Sequence, residues 1–280
     1  DNGCAPLVIK GVQRGGTTRI KSPTTQNHSG HQQNTPLAPG NTEIEVLELN
    51  EQPYVQMTLD WLESQGIEYE HDNMSRFSIK GGQSYKAFTR QIPGDFSSAT
   101  FFLCAAAVTG AELTLLGLDM NDSQGDKAVV GMLERFGCRV DIGESGITIR
   151  GRDLQGQEFD LNSTPDALPA MAVTACFAEG TTRLVNVPQA RLKETDRITV
   201  MCRELAKMGA RVEELPDGMV IHGGPLSGAN VDSHMDHRVA MALAVGALGA
   251  SGPTIINDAE CVDITFPNFF PLLESLCAPG

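Results

Sequence analysis

The sequence predicts an α/β protein assembled from repeated βαβαββ units of about 70 residues, and three recurrences along its 280 residues carry that prediction. The first is a short alternating apolar segment closed by a basic residue or His and then Gly. It occurs as Leu7-Val8-Ile9-Lys10-Gly11, Phe77-Ser78-Ile79-Lys80-Gly81, Ile147-Thr148-Ile149-Arg150-Gly151 and Met219-Val220-Ile221-His222-Gly223, with isoleucines 70, 70 and 72 residues apart. The second is a helical run ending Leu62…Gly66, Leu133…Gly137 and Leu205…Gly209, with glycines 71 and 72 apart. The third is a polar cluster that opens an Ala-rich run: Gly94-Asp95-Phe96-Ser97-Ser98-Ala99, Pro165-Asp166-Ala167 and Asp236-His237-Arg238, with aspartates 71 and 70 apart. Seventy residues before Asp95 stand Thr24-Thr25-Gln26.

Each element follows from its pattern. Alternation of apolar and polar residues makes the basic-Gly segments strands. Runs such as Phe101–Val108, Pro169–Phe177 and Val239–Val245 are apolar all round, as a buried helix must be. Glu112–Leu116 and Thr182–Asn186 are the strands that follow them. The helices ending at Gly66, Gly137 and Gly209 are amphipathic, and Gly terminates a helix by adopting a left-handed conformation. A repeat of this kind brings the polar clusters of several units to one end of a domain. The first unit breaks the pattern. Its buried-helix slot holds Asn27-His28-Ser29-Gly30-His31-Gln32-Gln33-Asn34-Thr35, and burying such groups without partners costs a few kcal/mol each, on the order of magnitude. Residues 27–35 are therefore expected to be exposed, disordered or altered. His28 and His31 have no third ligand nearby in the sequence and do not make a metal site.

Composition narrows the function. A formal net charge of −14 argues against a nucleic-acid or anionic-membrane surface, and no apolar run approaches the ~18 residues of a membrane span. The seven cysteines lack a CxxC pair, and Cys104 and Cys176 fall in Ala-rich runs, the usage of free thiols in a reducing, cytoplasmic setting. There is no GxGxxG or GxxxxGK[ST] loop and no metal constellation, so no cofactor is expected. Cations for an anionic ligand must then be focused locally. The stretch Arg191-Leu192-Lys193-Glu194-Thr195-Asp196-Arg197 does this, leading straight into a helix whose N-terminus favours an anion. Taken alone it also reads as a solvated first turn with ordinary ion pairs, and Asp95, Asp166 and Asp236 also read as helix caps.

With Pro53-Tyr54 and Phe266-Pro267-Asn268-Phe269-Phe270, these motifs in this order span nearly the whole chain, which resembles the enolpyruvyl transferases. The Lys-Glu-Thr-Asp-Arg run is similar to the branch acting on shikimate 3-phosphate rather than on UDP-N-acetylglucosamine. The resemblance implies an inverted α/β barrel of two domains, each of three βαβαββ units, with a cleft between them. Residues 1–92 would be the last unit of one domain and 93–280 the other, three-unit domain, a missing N-terminal half carrying the rest. The lack of a starting Met fits a fragment. It further implies transfer of the enolpyruvyl group of phosphoenolpyruvate to the 5-hydroxyl of shikimate 3-phosphate, with release of phosphate, by a monomeric cytoplasmic enzyme of aromatic amino acid biosynthesis. The chain alone would be inactive or would bind shikimate 3-phosphate weakly.

By the same resemblance Arg197 and Arg238 would face phosphoenolpyruvate, and Lys193, Thr24 and Thr25 the shikimate phosphate. Gln26, Tyr54, Gln189 and Asp166 would hold the ring, with His237 as a further binding residue. Asp166, Glu194 and Lys193 would be catalytic, the two carboxylates serving proton transfer. Three positions depart from the family pattern: Glu51 replaces a phosphate-binding Ser, Gln189 an Asn, and Ile264 a Lys. Asp95, Ser97 and Ser98 are read as capping residues.

Overall fold

The computed structural model describes residues 8, 10–144 and 146–277. The chain divides into two compact units, Asp1–Arg90 and Gln91–Gly280. The segment predicted as a strand at Leu7–Gly11 lies partly outside the described residues, as does Cys4.

The first unit follows βαβαββ order: β1 (Gly16–Ser22), α1 (Thr25–Asn34), β2 (Thr42–Leu49), α2 (Gln52–Ser64), β3 (Tyr69–Asp72) and β4 (Arg76–Ile79). The sheet runs β1-β2-β4-β3, with β1 and β2 parallel and the other pairs antiparallel. Parallel neighbours need a crossover, and α1 supplies it. Ile44, Val46, Val55, Leu59, Leu62, Ile67, Phe77 and Ile79 form the apolar core.

The expectation for residues 27–35 is corrected here. They form most of α1, and His28, Gln32 and Thr35 are buried, with Asn27, Gln33 and Asn34 outside. The repeat's topology encloses one face of this helix whatever side chains it carries. The His28 ring packs edge-on against Phe77, with centroids 4.7 Å apart. Among the described residues, neither of its nitrogens, and neither polar atom of the Gln32 amide, has a hydrogen-bond partner.

The second unit contains α3 (Phe96–Thr109), β5 (Glu112–Leu115), α4 (Ala128–Phe136), β6 (Arg139–Gly143), β7 (Gly146–Arg150), β8 (Glu158–Asp160), α5 (Leu168–Cys176), β9 (Thr181–Val185), α6 (Arg197–Lys207), β10 (Arg211–Leu215), β11 (Gly218–His222), β12 (Asn230–Asp232), α7 (His237–Gly249), β13 (Ile255–Asn257) and α8 (Phe269–Cys277). The stretch β8–β11 is a complete repeat, with sheet order β10-β11-β9-β8 and β8 parallel to β9. The repeats on either side are partial among the described residues. In β5-β7-β6 every pair is antiparallel, and the parallel pair β12-β13 is followed by a 3-10 turn (Ala259–Ile264) and the amphipathic helix α8. The Ala-rich helices α3, α5 and α7 pack on one another at the centre of one large apolar core.

The recurrent glycines have physical causes. Gly66, Gly137 and Gly209 end α2, α4 and α6 with φ of 70°, 112° and 89°, in the left-handed region that favours Gly. Gly81, Gly151 and Gly223 follow the last strand of their repeats where it meets the backbone beyond the buried helix. A Cβ would stand 2.2 Å from Gly40 O, 2.5 Å from Ala106 O and 1.7 Å from Ala178 O respectively.

Candidate active-site residues

In the second unit the start of each central helix carries a polar cluster. Asp95 caps α3, accepting from Ser97 N at 3.1 Å and Ser98 N at 3.0 Å. Asp236 caps α7, accepting from Arg238 N at 2.9 Å. Asp166 lies in the 3-10 turn Pro165–Ala167 before α5 and makes no cap; its carboxylate turns to cations instead. The run 191–196 precedes α6, which begins at Arg197 and is capped by Asp196 through Thr199 N.

Arg197 is the hub. Its side chain is 1% exposed. Nε donates to Asp236 Oδ2 at 2.7 Å and Nη2 to Asp236 Oδ1 at 3.2 Å. Nη1 donates to Asp166 Oδ1 at 2.7 Å, and Nη2 also to Glu194 Oε2 at 2.6 Å. Lys193 Nζ stands 3.6 Å from Asp166 Oδ1 and Arg238 Nη2 3.4 Å from Asp166 Oδ2. Arg238 Nη1 donates to Ser97 Oγ. Three cations and three carboxylates thus meet where four helices begin, and the helix dipoles add positive potential there. Burial opposes ionisation of Asp166, but Arg238, Lys193 and Arg197 outweigh it and hold the carboxyl at about 2. Burial, and then the charge of Arg238, lowers the pKa of His237, which keeps it neutral at pH 7.

A strained turn presents Asp236. His234 and Met235 have φ of 52° and 59°, a conformation non-Gly residues keep only when their surroundings impose it. Asp232 Oδ1 accepts from His234 N at 2.6 Å and Ser233 Oγ from Met235 N at 3.1 Å. Glu204, fully buried on α6, accepts from Asp232 N at 2.9 Å and lies 3.0 Å from His234 Nε2. Neither Glu204 nor the Ser97–Arg238 bond was found by sequence reasoning. Ser97 and Arg238 are 141 positions apart, and nothing local links them.

The other expected residues are placed variously. Gln189 is 1% exposed, and its Nε2 donates to Asn162 O at 2.9 Å. Ile264 is exposed. In the first unit Thr24 precedes α1 and Gln26 is exposed on it, while Tyr54 lies half-buried on the first turn of α2. Glu51 is buried in a left-handed conformation, φ 56°, and its Oε2 accepts from Thr25 N at 3.2 Å and Thr25 Oγ1 at 3.1 Å. Its carboxylate therefore turns onto the α1 N-terminus. An apolar groove of about 350 Å³ beside β5, lined by Phe102, Leu113, Leu115, Phe266 and Leu272, contains none of the site's cations. Among the described residues no group of three or more His, Cys, Asp or Glu is placed to hold a metal ion, and no helix is long and apolar enough to cross a membrane.

Repeated βαβαββ units whose helix starts gather arginine, lysine and carboxylates define an α/β protein of the enolpyruvyl transferase type. Residues 1–273 match the sequence profile of the family described as EPSP synthase (3-phosphoshikimate 1-carboxyvinyltransferase), and the chain belongs to that family. It is 53% identical over 274 residues to a 3-phosphoshikimate 1-carboxyvinyltransferase of Ruminiclostridium cellulolyticum, covering 98% of this chain and 65% of the relative. It is 44% identical over 280 residues to the protein of that name from Methanocella arvoryzae, covering 99% and 66%. A solved EPSP synthase from Acinetobacter baumannii superposes with a TM-score of 0.79 at 27% identity, covering 94% of this chain and 63% of that one. The chain thus spans about two thirds of the length of these relatives.

Proposed function

We propose that this chain supplies a large part of an enzyme that transfers the enolpyruvyl group of phosphoenolpyruvate to the 5-hydroxyl of shikimate 3-phosphate. The observation that carries the reading is the convergence of Lys193, Arg197 and Arg238 with Asp166 and Glu194 at the helix starts of the second unit. Two substrates bearing phosphates and carboxylates need clustered cations, and arginine forks suit both groups. Residues 1–92 act as the last repeat of one domain and 93–280 as the other. Full activity requires the remaining third found in the relatives, because a cleft gains its rate by positioning both substrates between preorganised halves.

In the reaction the 5-hydroxyl adds to C2 of phosphoenolpyruvate, losing its proton, while the methylene carbon gains one. The tetrahedral adduct then loses phosphate and a methyl proton, which regenerates the vinyl ether. Arg197 and Arg238 hold phosphoenolpyruvate, and Lys193 holds the shikimate phosphate. Held at about 2 by these cations, Asp166 is a weak base. Once Lys193 and Arg238 turn to substrate anions, they stabilise its charge less and its affinity for the hydroxyl proton rises. Glu194 exchanges the proton of the methylene carbon.

The test measures phosphate release from the two substrates by this chain alone, and by this chain mixed with the N-terminal third of a relative. Release only on mixing, abolished by Asp166→Asn, supports the reading. Release unaffected by Asp166→Asn or by Lys193→Ala overturns these assignments.

A further inference from the structure

We infer that Glu194 is a built-in stand-in for a ligand carboxylate or phosphate: it occupies an N–H of Arg197 that an incoming anion takes by displacing it. The inference deepens the proposed function and rests on the same cation cluster. Four contacts fill the Arg197 fork, and their carboxylates differ sharply in freedom. Asp236 is fully buried, paired with Arg197 through both oxygens and fixed as the cap of α7. Asp166 is 17% exposed and faces Lys193 and Arg238 as well as Arg197. Glu194 is 48% exposed and meets Arg197 only through Nη2, from a turn just ahead of α6. The Glu194 carboxylate can regain water on leaving, whereas removing either of the more buried partners strands a charge. Of the three, Glu194 is the group an anion can replace.

The outcome is chemically specific. The cluster of Lys193, Arg197 and Arg238 against Asp166, Glu194 and Asp236 is formally neutral, so an anion entering without displacement would meet only the potential of the helix starts. Departure of Glu194 restores one positive charge and frees an Arg197 N–H in the same event. The first unit holds a parallel: Glu51 lies on the N–H and hydroxyl of Thr25, but it is buried and has no comparable freedom to leave.

The experiment uses the 280-residue chain with inorganic phosphate and phosphoenolpyruvate as probes, in calorimetric titrations and in carbon-13 NMR of the Glu194 carboxyl alongside nitrogen-15 NMR of Arg197 Nε. Glu194→Gln is expected to bind both probes roughly two- to fivefold more tightly, since it removes one exposed ion pair. Deleting a negative charge would by itself favour an anion, so the NMR arm decides. In the unaltered chain the Glu194 carboxyl resonance must move with the same midpoint as Arg197 Nε. An Arg197 response with a stationary Glu194 resonance, or unchanged affinity in Glu194→Gln, overturns the inference and leaves the proposed function standing. Binding of neither probe to either protein overturns the inference together with the assignment of these cations to substrate anions.

Discussion

Arg197 gives four hydrogen bonds to three carboxylates while almost wholly removed from water. A buried guanidinium survives only with such pairing, because desolvation opposes its charge and the attraction of its partners must outweigh it. Arg197 was legible as a cation near a helix start. That it is saturated was not, since Asp166 and Asp236 reach it from 31 and 39 positions away. The same holds for Glu204 and Ser97, whose roles exist only through tertiary contacts. Asp166 gives the residue-scale prediction. Its folded pKa, about 2, lies below the ordinary 3.8, so the stability it contributes is present above pH 4 and lost as pH falls through 2. Replacing it by Asn should therefore cost stability at pH 7, with a deficit that shrinks by roughly 2 kcal/mol between pH 4 and pH 2. Urea unfolding of both proteins at stepped pH measures this; a deficit constant over that range contradicts the electrostatic account.

Among the elements, α1 sets topology against composition. The repeat places a helix between β1 and β2, and the strand pairing is satisfied only if the chain crosses there. Its polar residues pointed away from burial, and the architecture of the other repeats prevailed. Orphaned buried groups such as the His28 ring and the Gln32 amide destabilise by about 1–3 kcal/mol each. The double change His28→Leu and Gln32→Leu should raise the melting temperature of the first unit by at least about 5 °C, given its size. Acid gives a second signature. Burial, and then the neighbouring His31, lowers the His28 pKa from 6.5 to about 4. The unfolded chain thus takes up a proton that the folded chain refuses, and stability should fall by roughly 3 kcal/mol as pH drops from 6.5 to 4. The double variant should lose this dependence. If calorimetry shows the same melting temperature and acid slope in both proteins, α1 is not docked as described.

On the scale of the whole molecule, the fold was readable because each repeat solves the same packing problem with the same residues. Gly81, Gly151 and Gly223 recur because a Cβ would strike backbone, and Gly66, Gly137 and Gly209 because each helix ends left-handed. The 3-10 turn Ala259–Ile264 ahead of α8 was not readable, since the apolar pair Cys261 and Val262 that it buries fits a helix or a strand equally well. The two units also differ in what holds them. The second buries the close-packed helices α3, α5 and α7 in one extended core, whereas the first relies on a small cluster around Ile44, Leu59 and Phe77; unsatisfied buried polar groups occur in both. Stability scales with apolar surface buried, and orphaned polar groups subtract from it. The first unit should therefore open at lower urea concentration, as a sub-global step. Hydrogen exchange followed by mass spectrometry tests this: amides of β2 and β4 should lose protection while those of α5, α7, β9 and β11 keep theirs. Loss of protection in both sets at one urea concentration would show a single cooperative fold. In that case the polar face of α1 would weaken the site-bearing unit as well, and restoring apolar residues at His28 and Gln32 would stabilise both units together.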